Sequence, residues 1–103
     1  MYKISFFVPH NSAEKVKQAM FEHGAGRIGN YEQCSFETEG MGQFMPLLGA
    51  NPAVGTLNEL EKVAELKIEM VCNDECIRQV VNALKKNHPY EMPAYDIIKL
   101  IDL

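Results

Sequence analysis

The chain has 103 residues, of which 47% are hydrophobic, and its ten Lys and Arg against fourteen Asp and Glu give a formal net charge of −4. This length suits one domain with a real core, and we expect residues 1–103 to form a single domain. The basic residues do not cluster beyond Lys85 and Lys86, which excludes the basic face that nucleic-acid binding requires. No apolar run approaches the roughly 20 residues of a membrane span, so we expect no membrane partner.

The first predicted strand–helix unit begins at Ile4, where a stretch rich in β-branched and aromatic residues runs to Val8. Asn11 or Ser12 can cap the helix that follows. One face of that helix is formed by residues that recur at helical spacing: Val16, Ala19, Met20 and His23. Gly24 is placed to end the helix as the residue after its C-cap.

The middle of the chain predicts two extended arms. Residues 31–39 alternate weakly and predict a strand, Gly40-Met-Gly42 predicts a turn, and residues 43–47 predict a short returning arm. Residues 48–56 then predict a loop, because small residues, Asn and Pro follow one another there.

A second strand–helix unit begins near Val63, from which apolar residues alternate up to Cys72. Asn73 is predicted to cap the next helix, whose apolar stripe is Ile77, Val80, Val81 and Leu84. Residues 95–103 predict the last strand. The two strand–helix units have similar patterns of apolar residues, in which Ile4 matches Ile68 and Val16 matches Val80.

The predicted order β-α-β-β-α-β is the ferredoxin-like split βαβ arrangement, an α+β fold with two helices on one face of an antiparallel sheet. The other face, with residues such as Phe6 or Phe7, would stay uncovered in so short a chain. A partner subunit is the predicted cover, so we expect a homo-oligomer.

The cysteines and the N-terminus bear on location. Cys34, Cys72 and Cys76 are an odd number, and the apolar stretch 2–8 is too short for a signal peptide and lacks a cleavage site. Reduced thiols in a cytoplasmic protein are the simplest interpretation. We therefore expect a cytoplasmic location.

Residues 24–29 match the dinucleotide pattern G-x-G-x-x-G. In a dinucleotide site a strand enters the glycines and a helix leaves them, whereas here a helix ends and a strand begins. The glycines are interpreted as a C-cap at Gly24 and positive-φ residues at Gly26 and Gly29. The alternative is a loop whose backbone amides and Arg27 hold an anion at a subunit boundary.

Four segments carry a family resemblance: 24–36 (GAGRIGNYEQCSF), 40–46 (GMGQFMP), 49–55 (GANPAVG) and 88–96 (HPYEMPAYD). In this order they resemble the domain inserted in the Nif-three-like (NGG-interacting factor three) family. That insert is similar to the trimeric cation-tolerance protein CutA and to the PII signalling proteins, so the resemblance implies their fold and a trimer or dimer. The family's two-metal site lies in a flanking domain that this chain lacks. The resemblance thus implies a regulatory or capping module, and not the family's suggested hydrolase activity.

The loops of a ferredoxin-like fold gather at two ends of the sheet. One end would bring together His10, Asn51, His88, Tyr90 and Glu91. Of these, His10, His88 and Glu91 are a candidate divalent-metal set, since two imidazoles and a carboxylate suit zinc or copper. The alternative is that His10 is solvated, His88 ends the helix, Tyr90 packs and Glu91 bonds backbone.

The other end would bring Arg27 and His23 towards Cys72 and Cys76. The two cysteines with His23 suggest a soft-metal or redox site with a lowered thiol pKa; the alternative is that they are small buried hydrophobes. The candidate ligand-binding residues of the two ends are Arg27, Asn30, Tyr31, Asn51, His88, Tyr90 and Glu91.

The residues favour a non-catalytic module that binds a small ligand or ion between subunits. Two alternatives stay open: a divalent-metal-binding protein, and a purely structural interaction domain. Ser35 lies in a predicted strand, and no Ser–His–Asp or Cys–His set has a recognisable context, so no catalytic residue is predicted. The only cofactor considered is the divalent metal ion.

Overall fold

The computed structural model describes all residues, 1–103, and contains four strands and two α-helices. In chain order they are β1 (Tyr2–Pro9), α1 (Ala13–Glu22), β2 (Phe36–Phe44), β3 (Glu61–Cys72), α2 (Ile77–Asn87) and β4 (Tyr95–Lys99), with a 3₁₀ turn at His10–Ser12 between β1 and α1. The strands form one antiparallel sheet of order β2-β3-β1-β4. The predicted α+β fold and the β-α-β-β-α-β order are confirmed.

The core lies between the sheet and the two helices. Because successive side chains of a strand point to opposite faces, alternate residues of the central strands β1 and β3 face the helices. Those residues pair across the strands as Ile4 with Met70, Phe6 with Ile68 and Val8 with Leu66, and they are buried. The helices add Val16, Met20, Val80 and Leu84. Phe6 therefore belongs to the core, so its suggested place on the uncovered face was wrong.

The opposite face of the sheet, called here the open face, has no helix over it. The register places on it the alternate residues that begin with Phe7 in β1 and Phe36 in β2. Phe36 is 68% exposed, and Ile98 of β4, which lies on the same face, is 55% exposed. Phe7 is thus correctly placed on the open face.

β2 differs most from the sequence prediction. It runs straight through Gly40, Met41 and Gly42, where a turn was predicted, and Gly40 pairs with Glu65 of β3. Neither Gly40 nor Gly42 has a positive φ, so the glycines serve the open face and not a turn. Residues 31–35 are not a strand; only an isolated bridge joins Ile28 to Tyr31.

The ends of the helices agree with the sequence only in part. Gly24 has a φ of +108° after the C-cap of α1, and Gly26 and Gly29 also have positive φ, as predicted. The predicted side-chain caps are wrong: Ser12 makes no capping hydrogen bond, and α2 begins at Ile77, after a turn that follows Asn73. β4 ends at Lys99, short of the predicted Leu103. Neither helix has the length and apolar character needed to cross a membrane.

The core makes a direct prediction for Leu84, which is fully buried between α2 and the sheet. Leu84→Ala removes apolar contacts and leaves a cavity, so we expect the free energy of unfolding to fall by about 2 to 5 kcal/mol. Urea denaturation measures this loss. The matched control is Leu48→Ala at a side chain 92% exposed, for which we expect a change below about 0.5 kcal/mol. Similar losses for both variants would contradict the assignment of the core.

Candidate functional site

A groove of about 910 Å³ lies on the open face of the sheet. Its floor comes from β1, β2 and β3, where Phe7, Gly40, Gly42, Glu65 and Lys67 line it. Its walls are the two loops that reach over this face, residues 45–60 between β2 and β3 and residues 88–94 between α2 and β4. These walls are largely apolar, with Met45, Pro46, Leu47, Val54 and Met92 among the lining residues.

A buried hydrogen-bonded chain lies at the base of the groove. The Tyr90 hydroxyl donates to Oε2 of Glu65 at 2.9 Å, and Glu65 is only 8% exposed. The Tyr90 amide donates to Nδ1 of His88 at 3.1 Å, and Nε2 of His88 donates to the Phe7 carbonyl at 2.7 Å. These partners assign the neutral His88 tautomer with its proton on Nε2. These hydrogen bonds therefore connect the loop 88–94 to both central strands, β1 and β3.

The surroundings keep His88 and Tyr90 in their uncharged forms. Burial lowers the pKa of His88, although the bond to the Phe7 carbonyl and the nearby Glu65 oppose this shift. Burial and the Glu65 carboxylate raise the pKa of Tyr90 well above its usual range, because both disfavour a phenolate. At neutral pH the imidazole of His88 is therefore uncharged, and the Tyr90 hydroxyl keeps its proton and donates it in the hydrogen bond to Glu65.

Gly42 gives Glu65 the space that it occupies. A Cβ added at Gly42 would fall on the Oε1 and Cδ atoms of Glu65, whereas a Cβ at Gly40 would meet nothing within 4 Å. Glycine at position 42 thus lets a long acidic side chain lie flat against β2 on the floor of the groove. Sequence reasoning assigned Gly42 to a turn and did not single out Glu65, because the contact depends on the pairing of β2 with β3.

The rim of the groove joins two segments far apart in sequence. The backbone N–H of Asn51 donates to Oε1 of Glu91 at 2.9 Å. The structure thus brings Asn51, His88, Tyr90 and Glu91 to one end of the sheet, as the sequence suggested. Glu91 there bonds backbone, which agrees with the alternative stated for it.

The candidate metal set of His10, His88 and Glu91 is not assembled. His10 is exposed in the 3₁₀ turn, and both ring nitrogens of His88 are engaged with the main chain. The structure contains no group of three or more His, Cys, Asp or Glu side chains arranged to hold a metal ion.

The remaining candidates lie at the opposite end of the sheet, away from the groove. Arg27, Asn30 and Tyr31 are exposed in the connection after α1. Arg27 lines only a small depression, of about 180 Å³, beside Glu22 and Glu32. These residues therefore do not join the other four in one site.

Cys76 does meet the loop after α1, because its Sγ packs against Gly24. The predicted lowering of the thiol pKa is wrong for Cys72, since burial raises its pKa to about 11. The Cys72 side chain belongs to the core, which agrees with the alternative of a small buried hydrophobe. His23 turns away from a shared site, because its Nδ1 donates to the Ala19 carbonyl at 2.8 Å.

No protein-family model matches the chain. The chain is 46% identical over 100 residues to a GTP cyclohydrolase 1 type 2 homolog from Halalkalibacterium halodurans, a match that covers 97% of this chain and 27% of the relative. It is 45% identical over 95 residues to the protein of the same description from Bacillus subtilis, covering 92% of this chain and 26% of that one. The chain thus spans about a quarter of the length of these relatives.

Solved structures give the class of fold first. CutA1 from Pyrococcus horikoshii superposes with a TM-score of 0.71 over 100% of this chain and 86% of that chain, and the 18% identity makes this a likeness of fold. The chain thus has a CutA-like α+β fold. A Bacillus cereus protein related to NIF3 is closer in sequence, with 40% identity and a TM-score of 0.84 over 98% of this chain and 26% of that one.

The chain is therefore similar, over nearly its whole length, to a segment of the NIF3-related proteins. The resemblance inferred from the four sequence motifs is confirmed, and so is the CutA-like fold that it implied.

The two glycines of β2 make a matched pair for testing the floor of the groove. Gly42→Ala forces Glu65 out of its position, so we expect a loss of about 1 to 3 kcal/mol in the free energy of unfolding. Gly40→Ala meets open space and replaces a glycine in a strand, so we expect no loss. Urea denaturation of both variants measures the difference, and equal effects would contradict the close approach of Glu65 to Gly42.

His88 predicts a pH dependence of stability. Its pKa in the folded protein lies below the ordinary 6.5, so the unfolded chain binds more protons. The contribution of His88 is therefore complete above pH 6.5 and is lost progressively as the pH falls through the lowered pKa. Unfolding free energies measured by urea between about pH 7.5 and about pH 5.5 should show this loss.

The variant His88→Gln should flatten that pH dependence, whereas His10→Gln, at an exposed position, should keep it. The chosen range lies above the region in which the carboxylates titrate. An unchanged slope in His88→Gln would show that another group causes the effect.

Proposed function

We propose that this chain is a non-catalytic, homo-oligomeric module that binds a small molecule in the groove on the open face of its sheet. The coarser statement, a small regulatory or binding module, is supported by its likeness to CutA proteins in fold and to NIF3-related proteins in sequence. The finer statement depends on the groove.

The observation that carries the proposal is the groove itself, with its apolar walls and buried polar floor. Small-molecule sites are concave, of about 300 to 1,000 Å³, and combine apolar lining with a few fixed polar groups. The groove, at about 910 Å³, has this size, and Glu65 and Tyr90 are polar groups held in place by hydrogen bonds. A pre-formed site of this kind costs little ordering when a ligand enters.

The exposed apolar residues of the open face support assembly. Phe36 of β2 and Ile98 of β4 are more than half exposed on this face, and both strands are edge strands with one side unpaired. A free strand edge with an exposed apolar side chain favours association with another chain. We propose a dimer or trimer whose subunits border the groove.

Two alternatives from the sequence receive less support. Metal binding needs converging ligands, which a single chain does not gather. A purely structural role would use the same apolar face but gives no reason for a buried carboxylate at the floor of a groove. We do not extend the cyclohydrolase description to this chain, which spans about a quarter of the proteins that carry it. Its three cysteines are free, and we propose a cytoplasmic location, where thiols stay reduced.

Native mass spectrometry tests the proposal on protein purified without chelator or histidine tag. The spectrum counts subunits and weighs any bound molecule after incubation with a protein-free metabolite extract. Gly40→Leu fills the groove from a backbone position that has room for a side chain, and Gly40→Ala is the size control. We expect wild type and Gly40→Ala to carry a bound mass, and Gly40→Leu to assemble without it.

Other outcomes would contradict parts of the proposal. A monomer at micromolar concentration would contradict the assembly. An oligomer in which Gly40→Leu retains the bound mass would place the ligand outside the groove. An oligomer that never carries a bound mass, or one that Gly40→Leu dissociates, would favour the structural alternative.

A further inference from the structure

We infer that the groove takes a small organic cation, in which an ammonium group is attached to an apolar body. This inference rests on the proposed function, because it names the class of ligand for the same groove. The observation behind it is Glu65, a buried carboxylate for which the chain supplies no cation.

Glu65 has one oxygen engaged and one free. Oε2 accepts the Tyr90 hydroxyl, whereas Oε1 makes no hydrogen bond in the structure. No fully buried polar side-chain atom of the chain lacks a partner, so Oε1 is still reached by solvent. Oε1 lies against Gly42, on the floor of the groove.

The charge of Glu65 is not balanced within the chain. The ion pairs of the structure use the acids Glu14, Glu37, Glu69 and Asp74. Lys67, on the same face of β3, makes no ion pair with Glu65. A carboxylate held largely away from water is unfavourable unless a cation or several donors compensate it, and one phenol is a single neutral donor. A ligand ammonium would supply both the positive charge and further N–H donors for Oε1.

The rest of the lining agrees with this class of ligand. Three acidic residues of the open face and its loops line the groove, Glu65, Glu69 and Glu91, against the single basic residue Lys67, and only Glu69 is paired with another lysine, Lys3. An anionic ligand would therefore meet mostly like charge. Beside Glu65, the rings of Phe7 and Phe44 line the groove and can contact the apolar body. A bare divalent metal is disfavoured, because no group of three ligands converges here.

Isothermal titration calorimetry tests the inference by measuring the affinities of three matched probes at about pH 7.5, where an alkylamine is protonated. The probes are 2-phenylethylamine, neutral 2-phenylethanol and anionic phenylacetate. We expect wild type to bind the amine at least about tenfold more tightly than either other probe, which is the usual size of a charge-assisted hydrogen bond.

Glu65→Gln should abolish this preference, because the amide keeps an acceptor for Tyr90 but loses the charge. The matched control Glu59→Gln removes an exposed carboxylate that does not line the groove, and it should keep the preference. Tyr90→Phe is a second variant, in which Glu65 stays charged but the loop 88–94 loses its hydrogen bond to β3. It should bind all three probes more weakly and still prefer the amine, because the preference comes from the charge of Glu65.

Several results would overturn the inference. If the alcohol or phenylacetate binds as tightly as the amine, the proposed groove stands but the class of ligand is wrong. The class of ligand is also wrong, and the groove again stands, if no probe binds while native mass spectrometry shows a bound mass that is lost in Gly40→Leu. If wild type ignores the amine and Glu65→Gln dissolves the assembly, the carboxylate pairs with another copy of the chain and the inference fails.

Discussion

The hydrogen bond between Tyr90 and the buried Glu65 is the contact on which the functional face depends. It joins the middle of the central strand β3 to the loop that follows α2. His88 strengthens the same connection by bonding both Tyr90 and β1. Without these bonds the loop 88–94 would have little reason to lie over the sheet, and the groove would lose one of its walls.

This arrangement divides the sheet into two chemically different faces. Towards the helices, β1 and β3 present aliphatic and aromatic side chains that form an ordinary close-packed core. On the open face, the same two strands present Phe7, Glu65, Lys67 and Glu69. The free energy of folding thus comes mainly from the face that packs against the helices. The open face can therefore carry the buried charge of Glu65, which contributes nothing to the hydrophobic core.

The sequence predicts the core face well, because hydrophobic alternation and helical spacing are local signals. Ile4, Val16, Ile68 and Val80 were all placed in the correct elements, and the end of α1 is marked by Gly24, which follows its C-cap with a positive φ. The open face is predicted poorly. Its central feature, Glu65 lying on Gly42, depends on the register of two strands separated by the long loop 45–60, and composition signals a turn at Gly40-Met-Gly42 instead. His88, Tyr90 and Glu91 could be named from the sequence, but their roles depend on partners that only the fold brings to them.

The bond at the rim of the groove has a consequence for how this surface changes during evolution. Position 51 donates through its main-chain N–H, whereas position 91 accepts through its carboxylate. Any residue except proline can make the donation, so the fold places almost no demand on the side chain at position 51, while position 91 must keep an acceptor of suitable length. If homologues vary at position 51 but retain an acid at position 91, the contact serves only to hold the fold together. An asparagine retained there across diverging homologues would instead show selection on its side-chain amide, which makes no hydrogen bond within the fold.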